Sequence, residues 1–208
     1  MILCPAQPFD IPQIMQVERA SFIPGIQEKQ KTFDARLQIF PQGFFVAVDT
    51  SEKTVAKAGH AVTAGYFCSE LWESVPSEDK AFALNHKIHK THAKGGTVLY
   101  PSSYALLPDY RGKGMGKALF VSSLAALCGA FSQIQKIVLL VNTEWKEALH
   151  IYETLGFTEL RRITGFFPSL HKREKNDALV MTADASLFRA DGLLRHNENG
   201  SVVIGTGV

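Results

Sequence analysis

The stretch from Leu99 to Leu127, LYPSSYALLPDYRGKGMGKALFVSSLAAL, constrains the fold more than any other part of the chain. An apolar run with β character breaks at Pro108-Asp109 and passes through Arg111-Gly112-Lys113-Gly114-Met115-Gly116-Lys117. It then continues as an amphipathic helix. A strand feeding a glycine turn that opens a helix is a device for holding phosphate. Glycines let the backbone come close, successive N–H groups point one way, and the helix N-terminus adds partial positive charge. Arg111, Lys113 and Lys117 add full charges. The residues predict a phosphate-bearing cofactor on this turn; the competing reading is a basic surface turn with glycines for tightness. Two nucleotide motifs fail on particular residues. For a Walker loop the spacing from Gly112 to Gly116 is one residue short, and Ala118 stands where a hydroxyl should bind Mg²⁺. For a dinucleotide fingerprint, Lys117 occupies the third glycine position.

What fits is R-x-x-G-x-G, read as Arg111, Gly114 and Gly116 after Pro108-Asp109-Tyr110. This resembles the acyl-CoA signature of the GNAT superfamily of N-acyltransferases. A second segment, from Asn142 to Phe157, resembles that superfamily's other CoA-binding element, with an asparagine after a strand and Tyr152-x-x-x-Gly156-Phe157 closing a helix. The resemblance spans Pro5 to Thr182. It implies an α/β (α+β) fold: one GNAT-like domain with a mixed, mostly antiparallel sheet of about six or seven strands flanked by helices. That domain is expected over residues 1–184, with 185–208 a peripheral tail.

The 208 residues suit one domain able to bury a core without disulfides. Net charge of +2 is too near neutral to predict nucleic-acid binding. Cys4, Cys68 and Cys128 are scattered, without metal-ligand spacing, and read as reduced thiols in a cytoplasmic protein. Met1-Ile2-Leu3-Cys4-Pro5 lacks a basic leader, and no stretch predicts a membrane span.

Along the chain, Ile2 to Pro8 predicts an edge strand. Asp10 is the expected N-cap of a helix from Ile11 to Ala20, and Gln27 to Phe40 predicts a second helix. Gly43–Val48 and Val55–Phe67 read as a hairpin turning around Asp49 to Lys53. The segment from Glu70 to Gly96 is polar and rich in histidine. On a helix His86 and His89 would be neighbours, a conceivable metal site against the reading of a solvated helix; no metal is expected. Met115–Ala130 predicts a helix with Leu119, Phe120, Leu124, Leu127 and Phe131 inward. Lys136–Val141 predicts a strand buried on both faces, and Asn142 or Thr143 caps a helix reaching Leu155, closed by Gly156. Phe157–Phe167 and Ala178–Thr182 complete the strands.

The resemblance also assigns roles. The amides of Arg111, Gly112, Lys113, Gly114, Met115, Gly116 and Lys117 would hold the pyrophosphate of acetyl-CoA. The backbone of Tyr104, Ala105 and Leu106 would hold pantetheine, with the Leu106 N–H on the oxyanion. Asn142 would meet the pantetheine arm or a water, or else simply cap a helix. Tyr152 would protonate the departing sulfur, the alternative being a core aromatic. The catalytic Glu that many members carry before the turn is replaced by Ser103.

Glu18 to Ile23, Leu71-Trp72 and the long polar segment to Gly95-Gly96 look more particularly like arylalkylamine N-acetyltransferases. Two histidines that relay protons there are here Tyr100 and Ser102. A water chain past Ser102 and Tyr100, or an imidazole from His86 to His92, would have to replace them. Phe22 matches an aromatic wall of the acceptor pocket, or is a core phenylalanine. These residues imply N-acetylation of a small arylalkyl- or polyamine by direct attack in a ternary complex, by a monomer or homodimer with no nucleic-acid or membrane partner. Acetylation of a protein N-terminus or lysine, and a non-catalytic acyl-CoA sensor, are the alternatives.

Overall fold

The computed structural model describes residues 1–169, 175–189, 195–196 and 202–203. The elements that follow are β1 (Ile2–Pro5), α1 (Ile11–Ser21), α2 (Gln30–Ile39), β2 (Phe44–Asp49), α3 (Glu52–Ala58), β3 (Val62–Trp72) and α4 (Ile88–Thr91). Then come β4 (Val98–Leu106), α5 (Met115–Ala130), β5 (Lys136–Asn142), α6 (Lys146–Thr154), β6 (Thr158–Phe167) and β7 (Asn176–Asp184). Two short strands, β8 (Arg195–His196) and β9 (Val202–Val203), extend the edge at β1. The strand order is β6-β7-β5-β4-β3-β2-β1-β9-β8. Every neighbouring pair is antiparallel except β4 and β5. The seven long strands and their flanking helices form the expected α/β architecture.

The β4–β5 junction positions the site. The two strands pair only at Val98–Lys136 and Leu99–Ile137, then diverge. Beyond Leu99, β4 is bonded on one side only, to β3. The sheet is held together elsewhere by burial on both faces. Phe67, Leu71, Leu99 and Leu106 pack against Leu119, Phe120, Leu124 and Leu127 of α5, the inward face expected of that helix. On the opposite face Phe44, Val46 and Tyr66 meet Ile14 and Val17 of α1 and Phe33 of α2. Each fully buried side chain of this size contributes about 1.5–3 kcal/mol. Ile137, Val138, Leu139 and Val141 are buried as expected, but Leu140 is half-buried because it faces the gap beside β4.

β2 and β3 pair antiparallel as the expected hairpin requires, but they are not joined by a turn around Asp49 to Lys53, and β3 starts at Val62 and not at Val55, because α3 intervenes. Ser51 accepts a hydrogen bond from the Thr54 amide, Glu52 sits in the first turn, and Gly59 closes the helix at φ 78°. These are helix-terminus residues, and they outweigh the β character of Val55. The histidine stretch is also not one helix: α4 covers only Ile88–Thr91, so His86 and His89 are not helical neighbours. Beyond Asp184, expected at the periphery, Ala185 and Phe188 are buried in the core. Asn197–Gly200, expected in the tail, lie outside the described residues. Cys4, Cys68 and Cys128 are thiols outside any disulfide. Among the described residues no helix is long and apolar enough to cross a membrane.

Candidate active site

A cavity of about 810 Å³ occupies the gap between β4 and β5. It runs from Arg111, Gly112, Gly114, Gly116 and Lys117 at one end, along Tyr100 to Leu106, to Phe22, Ile26, Phe82, Leu84 and Phe167 at the other.

The glycine end is shaped by backbone. Gly112 and Gly114 take φ of 71° and 74°, left-handed values that admit glycine readily, and Gly114 is the N-cap of α5. A Cβ at either position would meet no atom within 4 Å, so open space lies over the turn. Arg111 does not point into that space alone. Its Nε donates to the Leu106 carbonyl at 2.9 Å and its Nη2 to Ser21 Oγ at 2.8 Å, while Ser21 Oγ donates to the same carbonyl at 3.1 Å. Arg111 therefore ties the end of β4 to α1. Lys113 donates to the Asp109 carbonyl, and Met115 packs against the core; neither lines the cavity.

Strand periodicity decides which peptide groups of β4 are available. The Leu107 amide donates to the Ala64 carbonyl at 2.8 Å. By period-two alternation the peptide groups of Ala105 also face β3, and those of Tyr104 and Leu106 face the gap. Of the three strand residues expected to hold a ligand through backbone, Ala105 lines the cavity but has its N–H and C=O directed to β3. The Leu106 carbonyl is already taken by Arg111 and Ser21, which leaves its N–H and both groups of Tyr104.

A β-bulge lies at Ser102, where Cys68 pairs with Ser103 but Ser69 pairs with Pro101. The extra residue brings two consecutive serines onto one face. Ser103 Oγ is 2.8 Å from Tyr66 Oη, and Ser102 Oγ donates to the Cys68 carbonyl at 3.2 Å. Ser102 is thus tied to β3 and holds no base beside it. Behind Ser103 the Tyr66 hydroxyl donates to Glu18, whose other oxygen accepts the Glu28 amide at 2.7 Å. Glu28 pairs with Arg36 at 2.8 Å, both nearly inaccessible. Burial raises the Glu18 pKa above its ordinary range, against the Tyr66 and Glu28 hydrogen bonds that lower it. Glu18 and Arg36 were legible only as charged residues on apolar stripes, at i+4 from Ile14 and i+3 from Phe33.

Tyr152 lies on the buried face of α6 and lines the cavity, its ring centroid 6.5 Å from Tyr104 and 5.1 Å from Phe120. Burial first, then the Tyr104 phenol, push its pKa well above the ordinary value. The phenol is therefore held in its protonated form. Asn142, expected at the pantetheine arm, is buried and does not line this cavity. Its Oδ1 accepts the Glu144 amide at 2.9 Å and its carbonyl accepts the Trp145 amide at 3.0 Å. It shapes the turn into α6 and opens instead on a separate cavity of about 220 Å³. Neither Asn142 nor Thr143 caps α6 as expected: Trp145 holds the N-cap position, and the Asn142 side chain closes a turn just before the helix.

Phe22 lines the far end, as expected of an acceptor wall. It meets Trp145 at 5.6 Å between centroids, and Trp145 meets Phe167 at 5.3 Å. No local pattern marks Trp145 or Phe167 for the site, because the loop before α6 and the end of β6 are brought here only by the tertiary fold. His86 also lines the cavity, its Nε2 hydrogen-bonded to the buried Glu70 of β3. Among the described residues no group of three or more His, Cys, Asp or Glu is placed to hold a metal.

Residues 78–159 match the family model described as acetyltransferase (GNAT) domain. No curated protein sequence matches the chain. Among solved structures, the ribosomal-protein-S18-alanine N-acetyltransferase from Escherichia coli aligns at a TM-score of 0.61 and 18% identity, over 89% of this chain and 94% of that one. Naa20 from Chaetomium thermophilum, solved with a bisubstrate analogue, aligns at 0.64 and 17%, over 96% and 94%. A GNAT-like decarboxylase, GphF, solved with isobutyryl-CoA, aligns at 0.70 and 14%, over 88% and 98%. At such identities the likeness is one of fold.

Proposed function

We propose, for a chain that carries an acetyltransferase (GNAT) domain, that it transfers the acetyl group of acetyl-CoA to a primary amine, a small arylalkyl- or polyamine in preference to a protein. The observation that carries this reading is the single cavity joining the glycine turn, the unbonded edge of β4, Tyr152 and an aromatic-walled end. The residues suit the cofactor: open space over Gly112 and Gly114 accepts a pyrophosphate, and free peptide groups at Tyr104 and Leu106 accept an amide-bearing arm.

Acetyl-CoA supplies an acyl group already activated as a thioester. The chain's residues do the rest. The amides of the turn and the charges of Arg111 and Lys117 hold the diphosphate. An arm that starts at the turn passes Leu106 first and Tyr104 next. This order moves the oxyanion donor from the Leu106 N–H, expected from the sequence, to that of Tyr104. Tyr104 is also the one beside Tyr152, which donates its proton to the departing sulfur. Phe22, Trp145 and Phe167 wall the acceptor's end, where Glu18 and the Arg36-paired Glu28 also reach the cavity.

An N-terminal amine of a protein is also a primary amine, and the Escherichia coli neighbour acts on one by its name. Calorimetry with acetyl-CoA, followed by mass spectrometry of products from a mixed panel of small amines and peptides, separates the readings. Acetylated small amines with release of free CoA are expected. Acetylated peptides alone would assign a protein acceptor, and acetyl-CoA binding without release under any amine would assign a sensor.

A further inference from the structure

A small amine reaches the cavity mostly as its ammonium ion, and that ion must lose a proton before it can attack. The strand position that would supply a carboxylate holds Ser103, and Ser102 and Tyr100 are poor bases. Glu18 has both oxygens engaged by donors and touches the cavity behind Tyr66 and Ser103. His86 differs from all of these. It sits on the cavity wall, its side chain 8% exposed, with Nε2 bonded to Glu70, whose side chain is 1% exposed. The second oxygen of Glu70 accepts from the Thr91 hydroxyl. A carboxylate accepting two donors fixes Nε2 as the protonated nitrogen and leaves the lone pair on Nδ1. Among the described residues, Nδ1 hydrogen-bonds to no protein group. The ring is held edge-on by Tyr100 at 5.8 Å and Trp72 at 6.3 Å between centroids. Asn85, just before it, has φ 61°, the one left-handed non-glycine among the described residues. Backbone strain beside a positioned side chain is a feature of functional sites.

We infer that His86, oriented by Glu70, takes the proton from the acceptor amine. The inference rests on the amine-acetylation reading. The ammonium gives one proton to Nδ1, which passes it to solvent. The freed lone pair forms the C–N bond as the C–S bond breaks. The sulfur takes the Tyr152 proton, and the second nitrogen proton, shed as the amide forms, restores the phenol. Ammonium and thioester thus give amide, thiol and one proton. Glu70 is a positioning residue. The titratable and charged groups facing this pair are Tyr100 from β4 and His92 after α4, with the Arg36 charge on α2 acting on Glu70.

The test is the pH dependence of kcat/KM for the full chain, His86→Gln and Glu70→Gln, with acetyl-CoA affinity measured alongside. The glutamine amide of His86→Gln can still donate to Glu70, which favours folding. His86→Gln is expected to lose about a hundredfold in kcat/KM at neutral pH. Acetyl-CoA affinity should be unchanged, and the deficit should shrink as rising pH supplies free amine. Glu70→Gln is expected to change the pH profile of kcat/KM with acetyl-CoA affinity unchanged, an effect a merely structural role would not produce. If His86→Gln fails to fold, a pH profile of kcat/KM unchanged in Glu70→Gln overturns the assignment. So does a His86→Gln variant with the parent's rate and profile. A parent chain that binds acetyl-CoA but acetylates no amine overturns the reading beneath it, and this inference with it.

Discussion

Tyr152 and Glu18 are both buried groups with raised pKa values, yet burial prepares them for opposite consequences. For Tyr152 it keeps the phenol protonated, so that a proton is in place when the leaving thiolate forms. Tyr152→Phe removes the donor and little of the packing against Phe120 and Phe157. Turnover should fall roughly ten- to a thousandfold, with acetyl-CoA affinity retained; undiminished turnover would remove the phenol from the chemistry. For Glu18 the consequence is stability. A carboxyl whose pKa in the fold exceeds its ordinary 4.5 binds its proton more tightly folded than unfolded. Its contribution is complete below 4.5 and is lost as pH rises through the folded value. Urea midpoints across that range should decline with pH for the parent and decline less for Glu18→Gln; identical slopes would mean that Glu18 ionises alike in both states.

At the scale of elements, two glycines separate what the fold needs from what the ligand needs. A Cβ on Gly65 of β3 would lie 2.4 Å from Leu106 Cδ2 and 2.6 Å from the Ala105 carbonyl oxygen. Gly65→Ala must push β3 from β4 and should cost about 1–3 kcal/mol by urea denaturation. At Gly114 the added atom meets nothing, so Gly114→Val brings only local left-handed strain, of order 1–3 kcal/mol. Acetyl-CoA binding by calorimetry should nonetheless disappear. Retained binding would place the phosphate seat elsewhere. The same division explains what the sequence disclosed. The turn and α5 were legible because glycine, charge and helical periodicity are local signals. α3 is not legible, though Ser51 and Gly59 mark its ends, because Val55 and the strand after it dominate the pattern. Asn142 was ambiguous because closing a turn, capping a helix and binding a ligand ask for the same side chain. Glu70–His86 was out of reach: the partners lie sixteen residues apart in a segment without periodicity, and only the return of the chain over β3 joins them.

For the whole molecule, the sheet is continuous except along one seam, and the seam is where the ligand is expected to act as a missing neighbour of β4. This arrangement makes a prediction about amides that differ only in parity. Ala105 and Leu107 direct their N–H groups to β3, where the Leu107 amide finds the Ala64 carbonyl at 2.8 Å. Tyr104 and Leu106 direct theirs into the gap, where β5 has already diverged. In hydrogen exchange the amides of Ala105 and Leu107 should be protected with or without acetyl-CoA. Those of Tyr104 and Leu106 should exchange quickly in the free protein and slow on saturation. General tightening by the ligand cannot mimic this alternation. At a hundredfold excess over Kd, mass action adds about 2.7 kcal/mol to global stability and slows every amide that opens by global unfolding alike. Local pairing instead slows alternate residues of one strand. Uniform slowing across residues 104–107, or none, would mean that acetyl-CoA does not lie along the open edge of β4.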